Sequence, residues 1–286
     1  MAVLRKFCLL LAVALLAQAP PPALGQAQHI VSLNLCTDQL LLWLADKDRI
    51  ASVTWLAADP DFSLVHEQTG GLYLNRVQAE EILALQPDLI LASEFSASLT
   101  ISLLRRLGHE VTVTGFPASL ATTIAQIRQV AALLGESDRG EAMVADMNRR
   151  IDIALASLNP GAKPALAVFY ASNGFTYGSH TLQDDFLQQM GLRNLAAEAG
   201  ISGPGQLALE TLLVAQPDYL LVNRKDRSEG NLAHLLLQHP ALKKLLADSA
   251  VVEIPDTLFQ CPGPQLATAF GLMAAALDPP QVREQP

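Results

Sequence analysis

Two cysteines and a pair of arginines are the residues of this sequence with the plainest chemical potential. Cys36 follows the apolar run "HIVSLNL" (29–35), and Cys261 follows the apolar run "SAVVEIP" (249–255). Such thiols can form a disulfide, ligate a metal as thiolates, or stay unpaired without a role. Arg224 and Arg227 lie in "NRKDRSEG". A guanidinium pair suits carboxylate recognition, and a solvated loop with balancing acids is the plain alternative. The histidines, at 29, 66, 109, 180, 234 and 239, are scattered without close metal-ligand spacing, so no protein-held metal is expected. Catalytic signatures are missing. "YGSH" (177–180) has neither the spacing nor the context of a nucleophile elbow, and no phosphate loop of the G-x-x-x-x-G-K-[ST] type occurs. "SGPGQ" (202–206) reads as a loop and makes a poor dinucleotide fingerprint.

The elements that position these residues begin after residue 25. Arg5 and Lys6 precede a short apolar run from Phe7 to Ala17, then prolines and small residues around Ala23 and Gly25. This pattern predicts an export signal over 1–25, too short to span a bilayer, which needs about 20 apolar residues. A soluble exported protein is therefore expected, and in an oxidising compartment the bridge between Cys36 and Cys261 leads the three readings. Without Arg5 and Lys6 the balance is 17 basic to 28 acidic residues, which argues against nucleic acid and anionic lipid as partners.

Strand and helix signals then alternate. "HIVSLNL" and "RIASVTWL" read as strands, and "CTDQLLLWLA" as a helix capped by Thr37 or Asp38. "DLILAS" is a strand without alternation, as in a parallel sheet covered on both faces. "LTISLLRRLG" is a helix and "HEVTVTGF" a strand. The order then recurs. "EEILALQPDLILAS" (80–93) and "ETLLVAQPDYLLVN" (210–223) match at a fixed offset, sharing Glu80 with Glu210 and Gln-Pro-Asp in both. The period is too long for a solenoid and marks duplication of a domain-sized unit. "HLLLQHPALKKLL" reads as a broken helix, and "PQLATAFGLMAAALD" as the last one. Between the halves, Met143, Met147, Ile151, Ala154 and Leu158 form a stripe at helical spacing. The expected fold is α/β: two parallel-sheet lobes (26–136 and 161–286) bridged by one long helix (137–160), with a cleft between the lobes.

In open parallel sheets, ligands bind beyond the carboxyl ends of the strands. That rule selects Asn34, Cys36 and Thr37, then Trp55, then Glu94 and Phe95, from the first half. From the second it selects Tyr170, Phe175 and Tyr177, then Arg224 and Arg227, then Phe259. Aromatic residues form only 5% of the chain, yet many fall at these ends, where a flat or bulky ligand would stack.

In its order of motifs, this chain resembles the periplasmic substrate-binding proteins of ABC importers for ferric siderophores, haem and cobalamin. The resemblance runs from His29 to about Asp278. It is carried by "VSLNLCTDQLLLWLADKDRI", the doubled E-x-x-L-x-x-x-P-D phrase, the bridging helix and "PALAVFYASNGFTYGSHTLQDDFLQQMGLRNLA". It implies a monomeric receptor without cofactor or catalysis, which captures a metal chelate and delivers it to a permease dimer. It also implies that Glu80 and Glu210, one per lobe, dock onto permease arginines. Favouring their helix N-termini is the plain alternative for both. Two rival functions are a secreted α/β enzyme and a receptor for free zinc or manganese ions, which the scattered histidines disfavour.

Overall fold

The protein is described from a computed structural model covering residues 26–158, 164–223 and 249–277. The expected export signal (1–25), Arg224, Arg227 and the helix expected at "HLLLQHPALKKLL" lie outside the described residues.

The first half forms β1 (Ile30–Ser32), α1 (Leu35–Leu44), β2 (Ile50–Thr54), β3 (Tyr73–Asn75), α2 (Ala79–Ala84), β4 (Leu89–Ser93), α3 (Ser98–Arg106) and β5 (Val111–Thr114). Its five strands are all parallel, in the order β3-β2-β1-β4-β5. Two helices follow, α4 (Leu120–Leu134) and α5 (Ser137–Ala156). The second half holds β6 (Leu166–Phe169), β7 (Phe175–Tyr177), α6 (Leu182–Gln189), β8 (Arg193–Asn194), α7 (Leu195–Glu198), β9 (Pro204–Gln206), α8 (Leu209–Ala215), β10 (Tyr219–Val222), β11 (Ala250–Glu253), α9 (Thr257–Gln260) and α10 (Leu266–Leu277). Its main sheet is parallel, in the order β11-β10-β6-β8.

Two expectations need correction. The cap of α1 is Asn34, whose Oδ1 accepts from the Cys36 backbone N–H at 2.9 Å. Thr37 and Asp38 sit inside the first turn and are buried. "SGPGQ" is partly strand: Pro204–Gln206 pairs antiparallel with Phe175–Tyr177 as a two-stranded ribbon. Pro204 is tolerated there because an edge strand need not donate every N–H.

The doubled phrase has one physical explanation in both lobes. Gln86 and Gln216 each end their helix in the left-handed region, at φ 48° and 46°. Proline follows, lacks an N–H and forbids another helical turn. The next carboxylate then holds the start of the neighbouring strand. Asp88 accepts from the Gln28 and His29 amides at 2.7 and 2.9 Å, and Asp218 accepts from the Leu166 amide at 2.7 Å. Each lobe thus aligns its first strand beside the strand that the phrase itself builds, Ile30 opposite Leu89 and Ala167 opposite Tyr219.

The bridging helix α5 has 20 residues, about 30 Å of helix. Its buried face carries Val144, Met147, Ile151 and Ala154, as the stripe predicts. One apolar core runs through both lobes around it. Ile30 and Leu41 from the first lobe, Ile127 and Val130 from α4, Ala167 and Leu221 from the second, and Phe270 and Met273 from α10 all belong to it. Truncating a large core residue such as Met147 to alanine costs about 2–5 kcal/mol, so this seam resists separation of the lobes. Arg49 anchors the same seam. Its buried guanidinium donates to the carbonyl of Leu134 at the end of α4 and pairs with Glu136 at 2.7 Å, satisfying a helix C-terminus with a cation.

Candidate ligand cleft

Strand order places the switch point of the first sheet between β1 and β4, and that of the second between β6 and β10. The carboxyl ends of these strands converge on one cavity of about 900 Å³ between the lobes. Its first-lobe wall holds Asp61, Phe62, Glu94, Phe95, Phe116 and Pro117. The second-lobe wall includes Phe169, Tyr170, Phe175, Tyr177, His180, Asp256 and Phe259.

Local chemistry fixes each wall. In the first lobe, the Glu94 carboxylate accepts from the Phe116 amide at 2.8 Å, tying the loop after β4 to the loop after β5. That bond sets the Phe95 and Phe116 rings edge to face, 5.5 Å apart. Phe95 remains 71% exposed, so this wall presents bare aromatic surface to whatever enters. In the second lobe, Phe175 packs on Tyr177, Tyr177 on Phe169 and Phe169 on Phe259, all edge to face. Phe259 continues through Phe186 to Phe270 in the shared core. The exposed end of this chain of rings therefore rests on fully packed side chains, which preorganises the wall.

Of the residues chosen from strand ends, Glu94, Phe95, Tyr170, Phe175, Tyr177 and Phe259 line the cavity. Tyr170 is buried and belongs to the second lobe's apolar cluster with Leu207 and Leu212. Among the described residues its hydroxyl has no hydrogen-bond partner, and burial, then the charge of Glu210, pushes its pKa up. Four chosen residues are not in the lining. Asn34 is used as a cap. Thr37 Oγ1 donates to the Asn34 carbonyl and lies 2.7 Å from Ser32 Oγ. Trp55 opens a short 3-10 turn after β2 and is 45% exposed. Cys36 is bonded to Cys261, with Cα atoms 4.8 Å apart. This bond joins the start of α1 in one lobe to the segment between α9 and α10 in the other.

Sequence reasoning missed Phe116, which follows β5 and would have been found by applying the strand-end rule once more. It also missed Asp61, Phe62, Phe169 and Asp256, and it preferred a surface or loop reading for His180, which lines the cavity. Phe62 and Asp61 lie in the long connection between β2 and β3, where no periodic signal marks them.

The two glutamates of the repeat stand outside the cleft. Glu80 and Glu210 are both exposed, each in the first turn of its helix. The neighbour Glu81 performs the capping instead: its Oε1 accepts from the Arg76 and Gln78 amides at 2.6 and 2.9 Å. Among the described residues, no hydrogen bond or ion pair engages Glu80 or Glu210.

Two parallel-sheet lobes, a shared helical spine and one aromatic cleft define a two-lobed ligand receptor. The chain belongs to the periplasmic binding protein family, whose family model matches residues 30–250. It is 24% identical over 261 residues to a cobalamin-binding protein of Halobacterium salinarum, covering 88% of this chain and 70% of that one. Among solved structures it is similar to the periplasmic haem-binding protein RhuT from Roseiflexus sp. RS-1, at 28% identity and a TM-score of 0.71, covering 88% and 98% of the two chains. The periplasmic vitamin B12-binding protein BtuF of Vibrio cholerae shares the fold, at 17% identity and a TM-score of 0.67, covering 88% and 97%.

Proposed function

We propose that this protein is the solute receptor of an ABC importer, capturing a bulky metal chelate of the cobalamin or haem type in the periplasm. The observation that carries this reading is the cleft itself. A volume of about 900 Å³ lies near the upper end of the usual range for small-molecule sites. Its opposed aromatic walls suit a large, flat, conjugated ligand better than a free cation. The named relatives are binding proteins for cobalamin and haem, which favours a receptor over an enzyme.

In this reading residues 1–25 direct export, the receptor acts as a monomer, and the partner is a permease dimer. Glu80 and Glu210 supply a two-point contact to it, one carboxylate per lobe. Their freedom from capping supports that role, since Glu81 already satisfies the helix start in the first lobe. Titration of the purified receptor with aquocobalamin, haemin and a ferric siderophore, followed by tryptophan fluorescence, tests the ligand class. Saturable quenching by at least one of them is expected, and failure of all three overturns the reading.

A further inference from the structure

The cleft carries fixed charge of one sign. Among the described residues that line it, Asp61, Glu94 and Asp256 are carboxylates, and no lysine or arginine is present. Each acid is tied in sequence to a ring of the same cavity. Asp61 precedes Phe62, Glu94 precedes Phe95, and Asp256 stands three residues before Phe259. All three acids are exposed, whereas Phe169 is half-buried and Phe259 is buried. These two rings form the deeper surface of the cavity, and the acids form its fringe on both lobes.

Two of the acids keep hydrogen-bonding capacity. Glu94 Oε1 accepts from the Phe116 amide at 2.8 Å, which fixes the carboxylate on its wall. Among the described residues its second oxygen accepts no hydrogen bond. Asp256 stands at the start of α9 without capping it, and among the described residues nothing engages its carboxylate. An ionised carboxylate accepts hydrogen bonds and donates none. A ligand edged with N–H donors satisfies such a fringe. A ligand edged with carboxylates meets like charge beside apolar walls, where screening is weaker than in bulk water. The excess of acidic over basic residues in the whole chain adds a field of the same sign.

Resting on the chelate reading above, we propose that Glu94 and Asp256 select the chelate by the charge of its periphery. The ligand they admit is a macrocyclic chelate edged with uncharged carboxamides, as in a corrinoid. A macrocycle edged with carboxylates, as in a porphyrin bearing propionates, is opposed from both lobes at once. The carboxamide N–H groups donate to the free oxygens of Glu94 and Asp256, while the flat ring lies against the aromatic walls. Discrimination of this kind comes from the unfavourable contact offered to the wrong ligand as much as from the bond offered to the right one.

The test titrates the wild-type receptor with three probes at low and high salt. They are aquocobalamin, its derivative with peripheral carboxamides hydrolysed to carboxylates, and haemin. The first two share ring, metal and size, and differ in the charge of the edge. Aquocobalamin should bind at least about tenfold tighter than either anionic chelate at low salt, and the margin should shrink as salt screens the fringe. This comparison needs no variant. Glu94→Gln/Asp256→Asn keeps an acceptor for the Phe116 amide and should lose most of the margin. Glu110→Gln/Asp152→Asn makes the same change of charge outside the cavity lining and should keep it. An anionic chelate bound by the wild type as tightly as aquocobalamin overturns the inference while leaving the chelate reading intact. So does a margin retained in Glu94→Gln/Asp256→Asn, or one lost equally in Glu110→Gln/Asp152→Asn. Absence of binding by the wild type to all three probes overturns both.

Discussion

Cys36 and Cys261 are bonded to one another across 225 residues of sequence, one at the start of α1 and the other just before α10. The bond lies beside the cleft, where it links the two lobes directly. With the shared core and the helix α5, it forms a third constraint on lobe separation. Three constraints of this kind favour small lobe movements over wide closure.

Removing the bond should therefore loosen the cleft without abolishing the fold. Cys36→Ser/Cys261→Ser is expected to lower the unfolding free energy by about 2–5 kcal/mol, the usual effect of losing a native disulfide. Ligand dissociation should accelerate. Urea unfolding and stopped-flow release measure the two effects. Unchanged stability and release would show that core packing alone holds the lobes.

Asp38 gives the first lobe a pH dependence. It is fully buried, and desolvation pushes its pKa up to about 6, against hydrogen bonds from Ser32 and Thr54 that pull it down. A carboxyl whose folded pKa is raised binds its proton more tightly when folded. Its contribution is thus most favourable below the unfolded value of 3.8 and is lost as pH rises to about 6. The loss is about 3 kcal/mol at 1.4 kcal/mol per pH unit. Asp38→Asn should remove this slope, seen as a stability difference from wild type that grows between pH 4 and 6 and is flat above. A constant difference across that range would contradict the assignment.

Much of this architecture was legible in the sequence, for identifiable reasons. The doubled Gln-Pro-Asp phrase revealed two lobes because helix end, proline and strand-aligning carboxylate are all local in sequence. The Met147–Ile151–Ala154 stripe revealed the spine because helical periodicity needs no tertiary information. The strand-end rule selected Phe95, Tyr177 and Phe259, and all three line the cavity. Other choices depended on what a side chain was already doing. Asn34 and Thr37 stand at a strand end but are consumed by local hydrogen bonds. The turn at His180 follows the ribbon of β7 and β9, which pairs Phe175 with Gln206 and Tyr177 with Pro204, a long-range pairing that "SGPGQ" does not announce.

The paired glutamates yield a prediction that separates binding from delivery. Glu80→Arg/Glu210→Arg should fold normally and retain its ligand affinity, since neither residue lines the cavity. Under the proposed docking role, uptake by cells carrying the matching importer should be lost, because like charges would then face the permease. Each single reversal should give a partial defect. Wild-type uptake in the double variant would remove the docking role from both residues.

The central claim is that the aromatic cleft holds a metal chelate. Its most direct test is equilibrium titration of the wild-type protein with aquocobalamin and haemin, read by tryptophan fluorescence and checked by calorimetry. The account predicts saturable, one-site binding of at least one of them, abolished or strongly weakened in Phe95→Ala/Phe175→Ala, which strips one ring from each wall. No binding of either, or binding indifferent to both rings, would contradict it.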